Sequence, residues 1–201
     1  MSTRRKSTIN PKVIDLALTA LFAALIILMT FTPIGYIQIG PALKLTLLTL
    51  PTAVGSVVLG WKAGLILGGV FGMSSFFTCF GMDAFGNMLL GINPVFTFIM
   101  CVVPRLLCGF LPALIFKAIS EGGTKRTMLA IPVATASTAI INTVFFLSAL
   151  WLFFAENTGA DSFWAFFATS AGLNGLIEIA VNIVAGTAIC KPLLIVKKRL
   201  V

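Results

Sequence analysis

Residues 93–112, NPVFTFIMCVVPRLLCGFLP, form an apolar run long enough to cross a bilayer, with Arg105 near its middle. An unpaired guanidinium at that depth costs at least ~2.5–3.5 kcal/mol on insertion scales. The fold must therefore bring something to it, either a carboxylate on a neighbouring helix or a bound anionic ligand. The rest of the chain is equally apolar: 59% of its 201 residues are hydrophobic and 10% charged, with a mean hydropathy of +1.08. Such values lie outside the range of soluble domains and mark an integral membrane protein.

A bilayer core takes roughly 20 apolar residues per helix, and about six such runs lie between the charged or turn-rich breaks. The expected fold is all-α, one bundle of six transmembrane helices forming a single domain over residues 1–201, with 1–12 and 192–201 as cytoplasmic tails. The apolar run after the basic N-terminus is too long for a signal-peptide core and no small-residue cleavage site follows, so it reads as a retained first helix. The predicted helices cover 13–32, 45–59, 63–80, 93–117, 128–154 and 163–190. The second is short, interrupted by Pro51 and Gly55, and ends in a Gly60-Trp61-Lys62 turn suited to a membrane boundary. Gly64, Gly68 and Gly72 line one face of the third, a spacing that admits a close helix contact. Asn93 followed by Pro94 is a helix-start signal for the fourth, and Pro104 and Pro112 are expected to bend it. Residues 33–44 and 155–162 read as loops, and 81–92 as a loop or short re-entrant piece.

With six helices drawn, Lys and Arg crowd one side, leaving Lys44 alone on the other and Arg105 inside. The positive-inside rule then puts both termini in the cytoplasm of a cell that carries this chain in its plasma membrane, and the three long loops outside. The net charge of +8 is thus a matter of topology, and no nucleic-acid partner is expected. Cys79, Cys101, Cys108 and Cys190 lack CxxC spacing and the chain has no His, so the cysteines read as packing residues and neither metal nor cofactor is expected. Intramembrane serine and metalloproteases need His, Asp83 stands in GMDAF rather than GxGD, and no Walker A sequence is present. The chain is not expected to be an enzyme.

Helix rise puts Arg105 roughly 18 Å, Glu178 roughly 21 Å and Asn142 roughly 14 Å in from the outer ends of their helices, a similar depth near mid-membrane. Asn174 and Asn182 lie one turn either side of Glu178. Two readings stay open. One is a structural Arg105–Glu178 ion pair with amide neighbours, which need not add stability because desolvation offsets the attraction. The other is the polar floor of an outward cavity for a small polar ligand, whose candidate contacts are Tyr36, Gln38, Asn93, Arg105, Asn142, Asn174 and Glu178. An intramembrane scaffold, or a stand-alone carrier or channel, would also fit the helix count.

Ala20 and Ala24 form a small-xxx-small pair on the first helix, which suits either internal packing or a partner helix. This AxxxA, the short second helix after a Pro/Gly-rich loop, the stretch LPTAVGSVVLGWKAGLILGGVFG and the NP…VPRLLCG of the fourth helix, taken in order, resemble the substrate-binding S components of energy-coupling factor (ECF) vitamin transporters. Residues 47–72 and the NPVFTFIMCVVPRLL segment are most similar to the pantothenate type, with folate and riboflavin as alternatives. The resemblance implies a six-helix protein that binds a vitamin from outside and joins a transmembrane coupling protein with two cytoplasmic ATPases. It also implies that Ala20 and Ala24 form the docking strip.

Overall fold

In the computed structural model the chain is nearly all helical. The structure describes residues 10–38, 44–158 and 162–200, with the side chains of 37, 38, 44, 45, 124, 157, 158, 165–174 and 198–200 outside the description. Among the described residues there are seven helices: α1 (Pro11–Thr30), α2 (Thr49–Leu59), α3 (Trp61–Thr78), α4 (Ala84–Ile92), α5 (Pro94–Ser120), α6 (Thr124–Thr158) and α7 (Phe163–Leu200). Four of them, α1, α5, α6 and α7, are long and apolar enough to cross a membrane. The six-span expectation is therefore met only in part: α2 and α3 are not among the four, and the 11 residues of α2 rise only about 16 Å, half the thickness of a hydrocarbon core.

Local chemistry sets the helix starts. Asn10 accepts from the Lys12 N–H at 3.0 Å with Pro11 in the first position of α1. Asn93 accepts from the Val95 and Phe96 N–H groups at 3.1 Å ahead of Pro94. Each cap satisfies amide donors that have no partner inside the helix, and proline has no such donor to lose there. Residues 81–92, expected as a loop or re-entrant piece, contain α4, which Asp83 caps by accepting from the Gly86 N–H at 3.1 Å.

Three other boundaries differ from the sequence reading. The second helix begins at Thr49 rather than near 45, because Lys44–Thr46 is a strand (β2) paired antiparallel with Tyr36–Gln38 (β1), Tyr36 opposite Thr46. A 3-10 turn at Pro33–Gly35 leads into that hairpin. Gly35 packs so tightly there that a Cβ would overlap the Met29 carbonyl. The sixth predicted helix does not stop at Lys191-Pro192; α7 continues to Leu200, so 192–200 is helix rather than tail. Pro192 removes only one backbone bond near the end, and beyond it Lys197 is fastened, its Nζ donating to the Val58 carbonyl at 2.9 Å and pairing with Asp15 at 2.8 Å. The fifth predicted helix ends at 154, where Phe154 leaves helical geometry (φ −136°, ψ 26°), but a last turn of α6 follows.

Packing is organised around α2 and α3. The short α2 is buried or half-buried along its whole length and touches α1, α3, α5, α6 and α7, as expected of a helix apolar on every side. The glycine stripe of α3 lies on α5: Gly64 faces the Gly109 carbonyl, Gly68 the Arg105 carbonyl and Gly72 the Val102 backbone, and a Cβ at any of the three would overlap that backbone. Contact this close gains dispersion energy that bulkier residues would forfeit. It also fixes the backbone of the helix that carries Arg105.

Candidate functional site

A cavity of about 630 Å³ occupies the end of the bundle where the hairpin, α4 and the C-terminal ends of α1 and α3 meet. Tyr36 and Thr46 of the hairpin line one side, Ser75 and Thr78 of α3 and Asp83 before α4 another. Arg105, Asn142 and Glu178 close it from α5, α6 and α7, and they are 8%, 8% and 6% exposed respectively. Tyr36 and Thr46 of the hairpin and residues 82–86 thus meet the three long helices around one cavity.

Arg105 is not held by a carboxylate of the chain among the described residues. No carboxylate oxygen lies within 4 Å of it among the described residues, so the Arg105–Glu178 ion pair is absent. The reason lies one residue upstream. Pro104 has no N–H, which leaves the Met100 carbonyl without its helical donor. Arg105 Nη1 donates to that same carbonyl at 3.0 Å. Its guanidinium carbon sits 4.5 Å from the Phe146 ring centroid and 5.5 Å from that of Phe71, so aromatic faces on α6 and α3 supply the remaining stabilisation. The Val-Pro-Arg sequence thus creates a free acceptor and fills it, holding the cation in the cavity wall without neutralising it. Nε remains without a partner among the described residues.

Glu178 turns to the hairpin instead. Its Oε1 accepts from the Thr46 N–H at 2.7 Å. One turn further along α7, Asn182 Nδ2 donates to Thr49 Oγ1 at 3.0 Å and to the Glu178 carbonyl at 2.9 Å. Two side chains on one face of α7 therefore clamp the hairpin and the start of α2. Asn142 points into the cavity with its Oδ1 buried and unpartnered among the described residues. Tyr36 bonds the Ser75 side chain.

Of the residues singled out from sequence, Tyr36, Arg105, Asn142 and Glu178 are brought together in this cavity. Asn93 is not in its wall, its Oδ1 being spent on capping α5. The side chains of Gln38 and Asn174 lie outside the described residues. Sequence reading missed Ser75 and Thr78, three residues apart on α3; their signal is a polar pair on one face near the end of an otherwise apolar helix. Ala20 and Ala24 are exposed on α1, away from the cavity.

The family described as "ECF transporter, substrate-specific component" matches residues 15–189 of this chain. The pantothenic acid transporter PanT of Lactococcus lactis subsp. cremoris (strain MG1363) is 29% identical over 188 residues, which is 89% of this chain and 92% of that protein. ThiT from Listeria monocytogenes superposes with a TM-score of 0.63 at 17% identity, over 91% of this chain and 96% of the other. At that identity the superposition speaks for the fold alone.

Proposed function

The chain belongs to the substrate-specific components of ECF transporters, and from that membership we propose that it captures pantothenate at the outer face of the plasma membrane. It is a transport component and not an enzyme. The observation that carries the choice of ligand is Arg105, the one cation among the described residues of the cavity wall, buried and with no carboxylate oxygen within 4 Å. A cation kept unneutralised at membrane depth suits a ligand that brings its own negative charge, and a guanidinium binds a carboxylate through paired N–H donors. Pantothenate carries a carboxylate at one end and an amide and two hydroxyls towards the other. Asn142 Oδ1 offers an acceptor to the amide N–H or a hydroxyl, and Ser75, Thr78 and Asp83 offer further polar contacts. The similarity to PanT supports the same ligand.

In this reading α2 and the hairpin together complete a second crossing, α3 makes a third, and α1, α5, α6 and α7 bring the spans to six with both termini cytoplasmic. The exposed Ala20 and Ala24 form a flat strip for the transmembrane coupling protein, which joins two cytoplasmic ATPases. A panel of vitamins, including pantothenate, folate and riboflavin, added to purified protein tests the proposal by thermal shift. Pantothenate raises the melting temperature progressively with ligand excess, as linkage requires. Stabilisation by another vitamin alone would reassign the ligand, and stabilisation by none would favour a scaffold.

A further inference from the structure

The four cysteines occupy unlike surroundings. Cys108 donates to the Thr138 carbonyl at 3.4 Å, and Cys190 packs among Val54, Val57, Ile131 and Ala134 at the opposite end of the bundle; both serve as packing residues. Cys79 and Cys101, 22 positions apart, hold their sulfurs 3.9 Å from each other, and both residues line the cavity. Cys79 is the C-cap of α3, with its thiol donating to the Ser75 carbonyl at 3.6 Å. Cys101 lies one turn before Arg105 on the same face of α5. A disulfide holds its sulfurs about 2.05 Å apart, so closure asks them to approach by about 1.9 Å. Cys79 sits where α3 ends, so small rotations there can supply that movement.

We infer that Cys79 and Cys101 are a modification site, a thiol pair in the cavity wall that a small peroxide converts reversibly to a disulfide. One thiolate attacks a peroxide oxygen; the O–O bond breaks, a sulfenic acid forms, and the departing hydroxide takes the thiol proton to become water. The second thiol then attacks the sulfenyl sulfur, the S–S bond forms, the S–O bond breaks and a second water leaves. Two electrons pass from the sulfurs to the peroxide, and an added dithiol returns them by exchange. The new bond ties the end of α3 to α5 beside Arg105. It also draws on the seat of α4, because Gly86 lies so close to Cys79 Sγ that a Cβ there would meet the sulfur at 2.6 Å.

Purified full-length protein is treated with hydrogen peroxide in slight excess, remaining thiols are alkylated, and the peptides are mapped by mass spectrometry without reduction. The expected product is a Cys79–Cys101 cross-link two hydrogens lighter than the separate peptides. Dithiothreitol reverses it, Cys79→Ser or Cys101→Ser abolishes it, and Cys108→Ser with Cys190→Ser leaves it intact. Recovery of both thiols free, or only as sulfinic acids, overturns the inference. Pantothenate added first should slow the cross-link several-fold by filling the route to the sulfurs, a shielding that rests on the ligand proposed above. An unchanged rate in protein shown by thermal shift to hold pantothenate overturns the cavity as the route, whereas protein that binds no pantothenate removes the ligand reading and leaves the cross-link result standing.

Discussion

The two ends of the bundle spend their polar groups in opposite ways. At the hairpin end, Arg105 Nε and Asn142 Oδ1 are buried without partners among the described residues, and both side chains border a cavity. At the other end one cation is paired: Lys197 reaches Asp15 on α1 and the Val58 carbonyl near the end of α2, over a closed apolar cluster of Val54, Val57, Val58, Ile131, Ala134 and Cys190. Buried polar atoms left unpaired cost about 1–3 kcal/mol each. Unpaired atoms beside a cavity suit the ligand proposed above, whereas the Lys197 contacts fasten α7 to α1 and α2. Variants that uncouple the two ends test this division.

The largest effect is expected on α1, which starts at the paired end. Ala20→Trp and Ala24→Trp place bulk on an exposed strip and hold a partner helix away, losing many close contacts at once. Pantothenate binding to the purified protein should change by less than about twofold, since the cavity lies elsewhere. ATP-dependent uptake in cells supplied with the coupling module should fall to background. Uptake at the parental rate would show that the strip docks nothing, and lost binding would show that the alanines pack internally.

At the cavity end, Arg105→Met removes a cation that can donate two charge-assisted bonds, each worth ~1.5–3 kcal/mol. Affinity measured by titration calorimetry should drop by about 100-fold or more, whereas Lys125→Met, outside the cavity, should leave it unchanged. Parental affinity in both variants would make the arginine a structural group that happens to border a cavity.

The contrast between the ends was only partly legible in the sequence. Most of the helices were, α4 and the last turns of α7 excepted, because their signals are local: the Asn93-Pro94 start, the glycine spacing of α3 and the apolar run lengths each need only neighbouring residues. That Arg105, Asn142 and Glu178 lie at one level of the bundle followed from helix rise alone. Their partners did not. That Arg105 satisfies the carbonyl orphaned by Pro104 follows from helix geometry, yet the two aromatic faces that replace a carboxylate come from Phe71 and Phe146 on other helices. Glu178 is matched by a backbone N–H of a strand that the sequence reading had merged into a helix. Lys197 was assigned to a tail because Pro192 looked like a stop, and its real anchor lies 139 positions away on α2.

A smaller effect separates charge from clamp at Glu178. Glu178→Gln keeps an acceptor for the Thr46 N–H, so affinity should stay within about threefold. Glu178→Ala frees the hairpin edge and leaves the Thr46 amide unmatched, a loss of about 1–2 kcal/mol or roughly tenfold in affinity. Equal losses in both variants would mean that the negative charge, rather than the hold on the hairpin, matters to the ligand.

The smallest effect belongs to the paired end. Lys197 and Asp15 are 23% and 41% exposed, and water screens a pair so placed, which limits it to about 0.2–1 kcal/mol. The bond from the same ammonium to the Val58 carbonyl adds a favourable interaction with the negative end of the α2 dipole, worth about 0.3–1 kcal/mol. Lys197→Met loses both, so the purified protein should melt a few degrees lower, and Asp15→Asn, which keeps the Val58 bond, should lose roughly half as much. Neither group borders the cavity, so pantothenate affinity should remain parental in both variants while the melting temperature falls. A loss of affinity matching the loss of stability would mean that the two ends are not independent, and that fastening α7 to α1 and α2 sets the geometry of the cavity as well.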